Sequence, residues 1–238
     1  MKLLITHVTR MAQGYCCVAG ITEGDHAHVR PVLGRRLDTG LLRPNGGPFD
    51  MGAVVEFVPT PLVTEPPEVE DHLFDPDECA FLGYVREQRL WELLDQTAIG
   101  SLEGIFGPAL ERTGTSASLA TGQGRASLGC YRPKRPPSLQ VRDREDRRSI
   151  RVVLEDEGME VPLTDARYYR NNYTEPDEKR LAAARDAIAD GDTVVLGVGV
   201  SRPYASRIDR EPRHWLQVNA LHVETLRGLR LAAIDGQV

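Results

Sequence analysis

Short runs rich in apolar positions, separated by polar, Gly- or Pro-containing turns, fill the first 85 residues and read as strands. Leu3–Val8 reads as one, Tyr15–Ile21 as a second across a short loop at Ala12-Gln13-Gly14, and His26–Arg30 as a third after the polar turn Thr22–Asp25. Pro31 then suits a strand end or an edge, because proline has no N–H for a ladder. A fourth strand is expected at Gly52–Val58, after the Pro/Gly-rich loop Arg43–Pro48, and a short fifth at Cys79–Tyr84, after the acidic stretch Glu65–Glu78. Over residues 86–112 the pattern changes: Leu90, Trp91, Leu93 and Leu94 recur at helical spacing, until Gly100, Gly104, Gly107 and Pro108 break it. Thr113–Ser127 is rich in Ser, Thr, Gly and Ala and reads as a mobile linker.

A second β block opens near Leu128 with Gly129-Cys130-Tyr131, Leu139–Arg142 and Ser149–Leu154, and Glu155–Gly158 turns it into Met159–Leu163. Thr174 is a plausible N-cap for a helix over about 175–190, with Leu181, Ala184 and Ile188 on its apolar face. Thr193–Val200 and Trp215–Val223 are the last strands. The expected architecture is therefore mainly β with a few helices, as two OB-like small β-barrels packed in one chain. The first barrel takes residues 1–85, a helical connection and loop takes 86–127, and the second barrel with its inserted helix takes 128–238.

Composition narrows the class. The 238 residues are 41% hydrophobic and 27% charged, enough to bury a core and unlike a disordered chain. No apolar run reaches membrane-spanning length and the opening apolar run is too short for a signal peptide, so a soluble cytoplasmic protein is expected. The four cysteines form no C-x-x-C pair and read as small buried hydrophobes. Net charge is −6, yet residues 1–120 hold 9 basic and 17 acidic side chains while 121–238 hold 20 and 18. Lys2, Lys134 and Lys179 are the only lysines. The remaining basic residues are arginine, the side chain suited to phosphate forks and base stacking, although coding bias produces the same skew.

Two segments carry a resemblance. The first runs Leu4-Ile5-Thr6-His7-Val8-Thr9-Arg10, then Gly14–Ile21 and Val29-Arg30-Pro31-Val32. The second runs Leu196-Gly197-Val198-Gly199-Val200-Ser201-Arg202-Pro203-Tyr204, then His214-Trp215-Leu216-Gln217-Val218-Asn219. Together they resemble the prokaryotic dual OB-containing domain family over nearly the whole chain. The sequence departs from the family's pattern at Thr9-Arg10-Met11, where a basic tripeptide is usual, and at His28, where tryptophan is usual. The resemblance implies two OB-like barrels, a role in binding nucleic acid or nucleotides, and a genome-defence setting. It brings no catalytic assignment.

The candidate contacts fall in four groups. Arg10, Arg30, Arg35 and Arg36 gather at strand ends of the first module, where OB grooves form, with Tyr15 and His28 as planar surfaces for bases. A solvated edge with ordinary salt bridges explains them equally. Arg202, Tyr204, Arg207, Arg210, Arg213 and Trp215 form a denser group, since Ser201–Arg213 puts four arginines in thirteen residues between two apolar strands. Arginine forks there would hold phosphates while aromatics stack bases, at roughly 1–3 kcal/mol per base; Trp215 is as well placed to anchor a core. Arg132, Lys134 and Arg135 with Arg142–Arg151 make the most basic stretch, but interleaved acids make a solvated, self-neutralised hairpin the simpler reading. Thr164–Tyr173 offers Arg167 and Tyr168 as contacts, with Asp165 as a structural partner for an arginine and one of Tyr168 and Tyr169 in the core.

The leading expectation is a binding module that holds single-stranded or structured DNA or RNA along an arginine–aromatic groove, within a prokaryotic defence or nucleic-acid-processing assembly. A sensor of a small nucleotide and a protein-interaction scaffold are the alternatives. No P-loop, nucleophile elbow, H-E-x-x-H motif or carboxylate cluster is present, so neither an enzyme nor a metal or other cofactor is expected.

Overall fold

A computed structural model describes residues 1–62, 64–144, 147–205 and 211–232, without the side chains of Pro61, Arg144 and Arg147. The first module holds β1 (Lys2–Arg10), β2 (Tyr15–Thr22), β3 (His28–Val32), β4 (Leu37–Asp38), β5 (Ala53–Glu56), β6 (Thr60–Pro61), β7 (Asp71–Leu73) and β8 (Ala80–Tyr84). They pair in the order β6-β7-β3-β2-β1-β5-β8, with β4 against β2. Most pairs are antiparallel, but β3 and β7 run parallel and set Arg30 opposite Asp71. β1 is buried on both faces from Leu3 to Thr9, which is why it lacks the alternation of a half-exposed strand. Its register against β2 shifts between Ile5 and His7. Gly20 sits opposite Ile5, where a Cβ would fall 2.3 Å from the Leu4 carbonyl oxygen.

The periodicity of residues 86–112 resolves into α1 (Glu87–Thr97), which buries Leu90, Trp91, Leu93 and Leu94, and α2 (Leu102–Phe106). Ser101 caps α2 by accepting the Gly104 N–H. The expected mobile linker is not one. It contains β10 (Ser116–Ala120), paired on one side with β9 (Glu111–Thr113) and on the other with the last strand of the chain. Its composition misled because these small side chains are packed, not solvated: Ala117, Ser118 and Leu119 are all buried.

The second module adds β11 (Leu128–Tyr131), β12 (Ser138–Arg144), β13 (Arg147–Leu154), β14 (Met159–Pro162), β15 (Tyr169–Arg170), β16 (Glu175–Pro176), α3 (Glu178–Ala189), β17 (Val194–Val200) and β18 (Arg213–Val223). One sheet runs β11-β17-β18-β10-β9, another β12-β13-β14. α3 starts later than expected. Asp177 is its N-cap, accepting the Arg180 N–H, while the Thr174 hydroxyl turns back to the Asn171 carbonyl.

The two modules share a core. Arg10 donates its backbone N–H to the Thr164 carbonyl at 2.8 Å, and Thr9 bridges Asp165. The His222 Nε2–H donates to the Thr6 carbonyl at 3.0 Å. Glu70, in the first module, accepts from the backbone and hydroxyl of Ser127. Gly197 in β17 makes the closest approach: a Cβ there would lie 2.4 Å from His7 Nε2, so the glycine lets a β1 side chain rest on the second sheet.

Burial at this seam corrects two expected contacts. Arg167 is 1% exposed and Tyr168 0%. The Arg167 guanidinium donates to both Asp165 oxygens and to the Leu221 and Leu229 carbonyls. Tyr169 is buried too, its hydroxyl donating to Leu163 O. Both tyrosines are core and Arg167 is an internal tie, so neither Arg167 nor Tyr168 reaches a ligand.

Candidate functional site

Where the two modules meet, a cleft of about 730 Å³ opens. The end of β1, the end of β3 and the loop after it form one wall; Thr164, Val200–Tyr204 and the outward face of β18 form the other. Two stretches of chain some 170 residues apart thus converge on one surface. Arg10, Arg30, Arg35, Arg36 and Arg202 all line it.

The guanidiniums are held by different partners. Arg30, only 4% exposed, is paired with Asp71, while its Nη2 is buried with no hydrogen-bond partner among the described residues. Arg202 comes from the other module to the same carboxylate, 2.6 Å from Asp71 Oδ2, and its Nη1 meets Glu68. One carboxylate therefore fixes two arginines, one from each module. Arg35 pairs with Asp38 at 3.1 Å on the surface. Arg36 lies over the Tyr15 ring, 5.4 Å from its centre. Arg10 lies over Tyr169 at 4.3 Å and donates to the Tyr173 carbonyl. Among the described residues, Asp38, Glu68 and Asp71 are the carboxylates that pair with Arg30, Arg35 and Arg202. Burial pushes the Cys17 thiol up, against the pull of Arg30 and Arg202.

Tyr204, 53% exposed, stands at the rim. The half-buried Trp215 supports it, ring centres 6.3 Å apart, with the indole N–H donating to the Tyr204 carbonyl at 3.4 Å. Gln217 and Asn219 alternate with the buried Leu216 and Val218 and so face the cleft. Gly199 makes room for them, since a Cβ there would lie 2.3 Å from Asn219 Nδ2.

Other expected contacts lie elsewhere. The His28 ring is edge-on to His7 at 6.1 Å, and burial pushes it down to about 4. Arg213 holds Ser118 and Glu111, tying β18 to β10. Arg132 pairs with Asp95 near the end of α1. In the basic hairpin, Arg142 and Arg151 share Glu160, and Arg148 takes Asp143 and Glu178, as the self-neutralised reading expects. Arg207 and Arg210 lie outside the described residues. Gln217, Asn219 and Thr164 were missed, although alternation in Trp215-Leu216-Gln217-Val218-Asn219 marks the two amides as a shared face.

A family model described as the dual OB-containing domain matches residues 1–221. The chain belongs to that family. No curated protein and no solved structure matches it significantly. Both stretches that wall the cleft fall inside the family match. At a coarse level, OB domains bind oligonucleotides or oligosaccharides. No helix among the described residues of this dual OB-containing chain is long and apolar enough to cross a membrane.

Proposed function

We propose that the dual OB-containing chain binds nucleic acid, single-stranded or structured, by seating part of a strand in the cleft between its modules. The observation that supports this reading most is the convergence of five arginines from two distant segments beside an exposed, braced tyrosine. Guanidiniums suit phosphate oxygens, and an exposed ring suits a base face. The volume is that of a pocket which closes around a small molecule, about one or two nucleotides. That size also favours a second reading, a free mono- or dinucleotide as ligand. The proposed setting is the prokaryotic defence or nucleic-acid-processing assembly that the family resemblance implies. Binding without turnover is part of the proposal.

Fluorescence anisotropy with labelled single-stranded and duplex DNA and RNA at two salt concentrations tests it. Arg36→Ala and Arg202→Ala should weaken binding, and removing one phosphate-binding guanidinium should lower the log–log salt slope by about 0.7 for a single strand. No binding of any polymer at low salt would overturn the polymer reading, and saturation by a mononucleotide would put the second in its place. Strand cleavage would contradict binding without turnover.

A further inference from the structure

Arg202 lines the cleft, yet its guanidinium is turned onto two carboxylates of the first module: Nη1 meets Glu68, and Nη2 lies 2.6 Å from Asp71 Oδ2. The arginine side chain is 48% exposed, those of Glu68 and Asp71 19% and 2%. The backbone around it is fixed without these ion pairs. Ser201 donates its N–H to the Trp215 carbonyl, and its hydroxyl accepts from the Trp215 N–H. The His214 Nδ1–H donates to the Ser201 carbonyl, and Tyr204 and Arg213 exchange both backbone hydrogen bonds. With the chain held on either side, the Arg202 side chain can swing while the loop stays in place. Asp71 also holds the buried Arg30, whereas Glu68 is more exposed and has no second arginine among the described residues, so Glu68 is the weaker hold.

Arg30, Arg202, Glu68 and Asp71 together carry no net charge. An anion that claims Arg202 therefore takes the place of a carboxylate. A phosphodiester carries one charge, as the carboxylate does, so that exchange gains it nothing. A terminal phosphate carries about −1.5 to −2 near neutral pH and has three free oxygens, and a guanidinium fork meets two of them with parallel hydrogen bonds. The cleft, about 730 Å³, has room for a strand end or a free nucleotide. Resting on the nucleotide-binding reading above, we propose that the cleft is selective for a nucleotide with a terminal phosphate: the phosphomonoester draws Arg202 off Glu68, while internal diesters leave that pair closed. The phosphate can belong to the end of a strand or to a free nucleotide.

Internally labelled strands of one sequence, with a 5′-phosphate, a 3′-phosphate or neither, are titrated by anisotropy, with AMP and its 3′,5′-cyclic diester as competitors. The proteins are wild type, Arg202→Ala, Glu68→Gln and the double variant. A phosphate-ended strand, or AMP, should bind roughly tenfold more tightly than its counterpart without a terminal phosphate. Arg202→Ala should remove most of that preference. Glu68→Gln should tighten monoester binding several-fold, and should do so only where Arg202 is present. If the glutamine form fails to fold, Glu68→Ala takes its place. A preference for AMP without one for strand ends would support the proposal and assign the phosphate to a free nucleotide. Equal affinity with and without a terminal phosphate, or a preference that survives Arg202→Ala, would overturn the terminal-phosphate assignment and leave the binding reading standing. So would a Glu68→Gln effect that is absent, or that persists in the double variant as a mere change of the surrounding field. Binding of no strand and no nucleotide would overturn both.

Discussion

His7 is 1% exposed and His222 2%, and both are held neutral: burial is the main cause, with His28 and then Arg167 adding to it at His7, and Arg167 and then His7 at His222. An unfolded chain protonates these rings near pH 6.5. The folded chain does not, so the unfolded state binds more protons below that pH. Stability is then intact above pH 6.5 and declines as pH falls, by about 1.4 kcal/mol per histidine per pH unit once well below it. Glu70 works the other way, since burial raises it and a raised carboxyl favours the folded state at low pH. Urea unfolding at about pH 7.5 and about pH 5.5 on wild type and His7→Gln separates the two, and the variant should show the shallower pH dependence. Identical pH dependence would show that His7 does not carry the effect. None of this was legible in the sequence. Neither His7 nor His222 stood out in the sequence, and Arg167 read as a ligand contact. Burial by segments far away in the chain decides both, and alternation within a single strand cannot report it.

Among the elements, β1, β2 and the strand pair β17–β18 were legible as apolar-rich runs between turn signals, and α1 by its helical spacing. β10 was not. Its side chains are small and mixed, and its strand character comes from pairing with β18, about a hundred residues away. β17 carries the element-scale test. Its Gly197 has an ordinary backbone, so what an added methyl group meets there is space and not strain. Gly197→Ala should wedge β17 from His7 and cost roughly 1–3 kcal/mol by overpacking. Gly34→Ala, where a Cβ meets nothing within 4 Å, serves as the control. Equal unfolding midpoints for the two variants would show that β1 and β17 can separate freely.

At the scale of the molecule, the contacts across the seam predict that the two modules fold as one unit. The first module gives β1 to a seam with Thr164, Asp165, Gly197 and His222, and its Glu70 holds Ser127. Residues 1–85 expressed alone should lack a cooperative thermal transition, and mixing with residues 86–238 should restore one; a cooperative melt of the isolated piece by circular dichroism would refute the shared unit. The division into two β blocks was readable from apolar runs and turn chemistry. The cleft was readable only as two separate arginine clusters, since nothing local says that they face each other. Their meeting point, Asp71, has a consequence for selectivity among anions. A carboxylate that already occupies Arg30 and Arg202 is a built-in competitor at fixed, high local concentration. Chloride and other singly charged background ions are expected to compete poorly with it. In the proposed binding, an anion that brings several oxygens and a second anchoring group is the kind expected to displace it, so the clasp would screen out the ionic background before a ligand is held.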